Sequence, residues 1–139
     1  MSNFGNIEQI QASLDSSPFN AFCQIQVVEV DLEAGKLVLT MPMHGDLERM
    51  PDSGQMHGGP IASLIDIAGC YASMMELEKG VPTINFRGDY FRPVIDTGLR
   101  AEAIVRRVGR SVSVADVDIF DDSSRLVAVG RATYSSAGG

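Results

Sequence analysis

One stretch of this chain has a helical period while nearly every other extended stretch reads as strand, and that imbalance leaves few folds open to it. From Pro60 to about Leu77, the residues Ile61, Leu64, Ile65, Ala68, Ala72 and Met75 recur at three- and four-residue spacing. That spacing puts an apolar stripe down one side of a single long helix. Pro60 suits the first helical position, Gly59 the N-cap before it, and Lys79-Gly80 the stop. A shorter amphipathic helix is expected over Ile7 to Leu14, closed by Ser-Ser-Pro. Aliphatic and β-branched residues between Phe22 and Met43 predict a hairpin around Glu33-Ala34-Gly35-Lys36, and four further strands are expected at 83–92, 98–108, 111–120 and 125–134. The order α-ββ-α-ββββ makes this an α+β chain, with a curved antiparallel sheet wrapped around the one long helix.

The 139 residues contain no internal repeat and no linker-like tract, so 1–139 is read as a single domain, with only the Ser-Ser-Ala-Gly-Gly tail frayed. Residues 44–59, rich in Gly, Pro, Asp and Ser, form a loop long enough to suggest function. A net charge of -7, from 11 Lys+Arg against 18 Asp+Glu, opposes a broad nucleic-acid surface. The absence of Trp leaves little to stack on single-stranded nucleic acid. Two cysteines, Cys23 and Cys70, are too few for a disulfide framework and read as reduced thiols of a cytoplasmic protein. The N-terminal segment lacks the basic and apolar regions of a signal peptide, and no apolar run of about 20 residues could span a bilayer. Two histidines without a nearby cluster of ligating residues predict no metal site, and no cofactor is expected.

The long helix carries two further signals. Ala62, Asp66, Gly69, Cys70 and Ser73 fall close together on a helical wheel, and all but Asp66 are small. Such a face lets another backbone approach, which points to a second copy of the chain. At the helix start, Met56-His57-Gly58-Gly59-Pro60 offers backbone N–H groups at the positive end of the helix dipole, where an oxyanion could be held. Ser63 and Ser73 lack the strained turn of an activated serine, and Cys70 has no histidine near it in sequence, so neither residue type reads as a nucleophile.

His57-Gly58-Gly59 followed, after six intervening residues, by Asp66 resembles the HGG-x(6)-D signature of the hotdog-fold acyl-CoA thioesterases of the PaaI-like, 4-hydroxybenzoyl-CoA thioesterase group. Thr83-Ile84-Asn85-Phe86-Arg87-Gly88-Asp89-Tyr90-Phe91-Arg92-Pro93 resembles that family's T-x-D-x(4)-Y-L-R-P strand, and Val108-Gly109-Arg110-Ser111 its later V-G-R-S turn. The resemblance covers about residues 20 to 135 and implies a hotdog fold that hydrolyses an acyl-CoA thioester. It implies Asp66 as general base or nucleophile, the Gly58 N–H as oxyanion donor, His57 as a group positioning the thioester, and Thr83 orienting the attacking water. Gly59 and Asn85 complete the expected substrate contacts. Two positions depart from the family pattern: Pro51 stands where relatives often carry Asn, six residues before His57, and Asn85 replaces the strand Asp.

Arg100, Arg106, Arg107 and Arg110 gather four of the 11 basic residues into eleven positions. Coenzyme A carries phosphates that guanidinium forks suit, and Arg107 and Arg110 are the expected contacts. The alternative for an arginine here is a solvated strand edge. Gly58 and Asp66 lie eight residues apart on one helix, about 12 Å along its axis, and cannot both reach one thioester carbon. A homodimer with sites shared between chains is therefore expected, assembled further into a homotetramer. The competing function on such a fold is non-catalytic acyl-CoA binding or sensing, and retention of Asp66 argues against it.

Overall fold

The computed structural model describes residues 3–137, so Met1, Ser2 and the final Gly138-Gly139 of the tail lie outside the described residues. Helix α1 (Ile7–Ser16) is capped by the Asn6 side chain, which accepts from Gln9 N–H, and buries Ile10 and Leu14. A five-residue helix α2 (Pro18–Phe22) follows, with Pro18 in its first turn. It lies where no helix was expected, since one turn is too short to show a period. The hairpin pairs β1 (Gln26–Asp31) with β2 (Lys36–Met41). After a 3-10 turn at Gly45–Leu47 comes the long helix α3 (Gly58–Leu77). The last four strands are β3 (Thr83–Tyr90), β4 (Leu99–Val108), β5 (Val112–Asp121) and β6 (Leu126–Ser135).

These strands form one antiparallel sheet in the order β1-β2-β4-β5-β6-β3, curved around α3 as the α+β reading requires. On its inner face β4, β5 and β6 alternate buried with more exposed residues and contribute Ala101, Ala103, Ala115, Ala128 and Ala132, all 0% exposed. Alanines at these positions let the helix lie close. Leu64, Ile65, Ala68 and Ala72 of α3 pack down onto them. The closest approach is at Ile65: a Cβ built on Gly130 would stand 2.4 Å from Ile65 Cγ2, and one on the neighbouring Gly88 would stand 3.2 Å from Ile65 Cδ1. Gly88 and Gly130 face each other across β3 and β6, so together they form the hollow that seats the helix.

The first two residues of the expected frayed tail are ordered. Ser135 closes β6, and Ser136 is buried, its Oγ donating to Gly109 O at 2.7 Å and its N–H to Ser111 O at 3.0 Å. The β4–β5 turn is thus tied to the end of β6.

Gly130→Ala should destabilise the protein by about 1–3 kcal/mol, as overpacking of a filled core does. Denaturant unfolding of the variant checks this, and an unchanged midpoint would mean that α3 is not seated on that glycine.

Candidate active site

The loop before α3 is fastened on both sides. Arg49 N–H donates to Gln55 O at 3.0 Å, Met56 N–H to Val94 O at 2.8 Å, and His57 N–H to Leu47 O at 2.7 Å. Pro51 sits in the exposed turn Met50–Ser53 at the loop's tip, where Ser53 N–H donates back to Met50 O at 3.2 Å. His57 is consequently held at the helix entrance.

The helix begins two residues earlier than its proline suggests. Gly58 is its first residue and His57 its N-cap, in place of Gly59. The reason is the imidazole: His57 Nδ1 accepts from Gly59 N–H at 2.8 Å and performs the cap that a Ser or Asp side chain usually provides. A Cβ on Gly59 would stand 3.2 Å from that nitrogen, so glycine here makes room for the ring. The carbonyl of the same peptide unit is held as well, because Tyr90 Oη donates to Gly58 O at 3.0 Å. Pro60 has no N–H to give. Of the first three helical residues, only Gly58 keeps an N–H that no hydrogen bond among the described residues engages. Gly58 lines a cleft of about 440 Å³ together with His57, Ile61, Tyr90, Phe91, Arg49 and Arg92.

Asp66 lies half-buried two turns further along α3. Thr83, the first residue of β3, donates its hydroxyl to Asp66 Oδ1 at 2.9 Å. Tyr134 of β6 donates to Asp66 O at 2.8 Å and to Oδ1 at 3.3 Å. The register explains this convergence, since Thr83 pairs with Tyr134 and both side chains turn to the helix. Tyr134 carried no signal in the sequence, because its contact with Asp66 joins positions 68 apart.

Other expected site residues lie apart from this cluster. A bulge between Thr83 and Asn85 shifts the alternation of β3, so Asn85 pairs with Thr133 on the outer face, opposite the helix. Arg107 and Arg110 stand at the β4–β5 turn, three strands from Thr83, roughly 14 Å across the sheet. They differ from their neighbours in charge pairing. Arg100 is bound to Glu102 and lies over the Phe120 ring, and Arg106 meets Asp116 at 2.8 Å. Arg107 and Arg110 have no carboxylate within ion-pair distance among the described residues.

Of the five residues on the proposed small face, two turn inward. Gly69 packs under Tyr134, where a Cβ would meet the hydroxyl at 2.6 Å, and Ser73 is fully buried, bonded to Ser113 Oγ at 3.3 Å. Ala62, Asp66 and Cys70 remain as a half-buried stripe at four-residue spacing. Burial, aided by the charge of Asp66, pushes the Cys70 thiol up to about 12, which leaves no thiolate for chemistry. Ser63 Oγ is occupied by Gly59 O at 2.9 Å. Among the described residues no cluster of three or more His, Cys, Asp or Glu could hold a metal, and no helix is long and apolar enough to cross a membrane.

Residues 53–128, more than half of the chain, match the profile of the Thioesterase superfamily. A solved member of the thioesterase superfamily superimposes with a TM-score of 0.87 at 34% identity, over 93% of this chain and 96% of its own. A Halobacterium salinarum protein assigned as an esterase is 35% identical over 90% of this chain and 88% of its own length. The medium/long-chain acyl-CoA thioesterase YigI of Salmonella typhimurium is 30% identical over 57% of this chain and 61% of its own.

The capped peptide gives a measurable signature. In native-state hydrogen exchange the Gly59 amide should be protected while the Gly58 amide exchanges freely, and His57→Ala should speed Gly59 exchange roughly fivefold, matching about 1 kcal/mol for one such bond. Gly59 exchange that ignored the substitution would remove the cap from the account.

Proposed function

The chain belongs to the Thioesterase superfamily, and on that premise we propose that it hydrolyses an acyl-CoA thioester to the free acid and CoA. The observation that carries the reading is the contrast along α3: one unoccupied backbone donor at its start, and one carboxylate in its middle with an oxygen to spare. Asp66 is the general base or nucleophile. Acting as base, its free Oδ2 takes a proton from water while the water oxygen adds to the thioester carbonyl. The developing oxyanion is held by Gly58 N–H, strengthened by the helix dipole. Collapse breaks the C–S bond, and the departing CoA sulfur takes the proton from Asp66. Thr83, whose proton is already committed to Asp66, has oxygen lone pairs with which to orient the water. His57 serves by fixing the Gly58–Gly59 peptide. Gly59 gives its N–H to that cap, and Asn85 pairs with Thr133 on the outer face of the sheet.

Gly58 and Asp66 of one chain are about 12 Å apart along the axis, so each site combines Gly58 and His57 of one protomer with Asp66 of its partner. Two features support a homodimer. Strand β3 is an edge hydrogen-bonded on one side only, and beside it Ile84, Phe86, Tyr90 and Phe91 are 41–55% exposed. The half-buried stripe of Ala62, Asp66 and Cys70 lets two antiparallel helices lie side by side. Assembly of two such dimers into a homotetramer, with one domain per chain, belongs to the same reading. Arg107 and Arg110, free of carboxylates, are assigned to the CoA phosphates. Two free cysteines favour a cytoplasmic setting.

A panel of aryl and fatty acyl-CoA esters, followed by free-thiol release, tests the activity. Asp66→Asn should lower kcat on the best substrate by ~10²- to 10⁴-fold while retaining CoA binding. Wild-type turnover in the variant would displace Asp66, and binding without thiol release from any ester would make the protein an acyl-CoA sensor.

A further inference from the structure

Tyr134 is wholly buried in the middle of the fold, yet it carries a hydroxyl where phenylalanine would fill the same space. That hydroxyl has a place only because residue 69 has no Cβ; a Cβ there would stand 2.6 Å from it. Asp66 and Gly69, three residues apart on one turn of α3, are thus both fitted to a single phenol. We infer that Tyr134 is a positioning residue for Asp66, holding Oδ1 jointly with Thr83 so that Oδ2 is the oxygen presented to the reacting water or thioester. The inference rests on the reading of Asp66 given above.

Tyr134 shares its proton between Asp66 O at 2.8 Å and Oδ1 at 3.3 Å, and Thr83 donates to the same Oδ1 at 2.9 Å. One bond would fix a distance and leave the carboxylate free to turn about its Cβ–Cγ axis. Two O–H donors arriving from β6 and β3 fix the carboxylate plane as well. Burial, reinforced by the negative charge of Asp66, pushes the phenol far above its ordinary range, so it stays a donor throughout the pH range of a folded protein. The backbone contact ties the carboxylate to its own turn of helix. Any shift of α3 on the sheet would therefore move donor and acceptor together.

Kinetics and carboxyl NMR together test the inference. Tyr134→Phe should lower kcat roughly tenfold, the loss of one hydrogen bond to a charged group, and leave KM within about twofold. In an Asp66→Asn background the same substitution should change nothing further, because its effect passes through Asp66. Independently of turnover, the Asp66 carboxyl ¹³C resonance at neutral pH should move in Tyr134→Phe and in Thr83→Val. It should stay in place in Ser73→Ala, which removes a buried hydroxyl that does not touch Asp66. Wild-type kcat per folded molecule in Tyr134→Phe, with only the melting temperature lowered, would overturn the proposal, as would an unmoved Asp66 resonance. A wild-type protein that released no thiol would sink the proposed hydrolysis alone, and the resonance would still decide whether Tyr134 holds Asp66.

Discussion

Ile65 sits in a hollow between Gly88 and Gly130, where a Cβ on Gly130 would stand 2.4 Å from its Cγ2, and the placement of Asp66 beside its two donors follows from that contact. Asp66 is the next residue along the helix. Once Ile65 is seated against β3 and β6, Asp66 faces Thr83 and Tyr134 on those same two strands. A larger residue in the hollow would lift the helix and separate the carboxylate from both donors in one movement. Packing and chemistry are coupled here through adjacent residues, which makes the small side chains of the sheet as important to the site as its polar ones.

The helix start shows how few groups are left to do chemistry once local hydrogen bonding is satisfied. A helix normally exposes several orphan N–H groups. Here the His57 ring takes one, Pro60 lacks one, and Tyr90 secures the carbonyl beside them. What is left is a single donor, on Gly58, with its neighbouring peptide plane held on both sides. A donor that needs no rearrangement when charge develops gives its full electrostatic benefit to the transition state.

Much of this was legible from residue pattern. The period of Ile61 to Met75 marked the one long helix, the strand segments lay within a few residues of those observed, and the resemblance at His57, Gly58 and Asp66 named the candidates on which the proposed function rests. What was not legible has physical causes. Histidine is an unusual N-cap, so the proline drew the helix start two residues too late. A bulge has no signature in an alternating strand, and it moved Asn85 to the outer face. A helical wheel groups Gly69 and Ser73 with Ala62 and Asp66 but cannot say that Tyr134 and Ser113 stand over them. Tyr134 itself meets Asp66 across about half the chain, a contact set by sheet register and by no local motif.

The helix that aligns these groups also separates them, since a donor at its first residue and a base at its ninth cannot serve one carbon. A working site must therefore be completed by a second chain. Mixing Asp66→Asn chains with Gly58→Pro chains, each inactive by itself, measures this directly. Once subunit exchange is verified, heterodimers should regain up to one working site of two, because one interface then pairs an intact Gly58 with an intact Asp66. Verified exchange with no return of thioester hydrolysis would contradict a site shared between protomers.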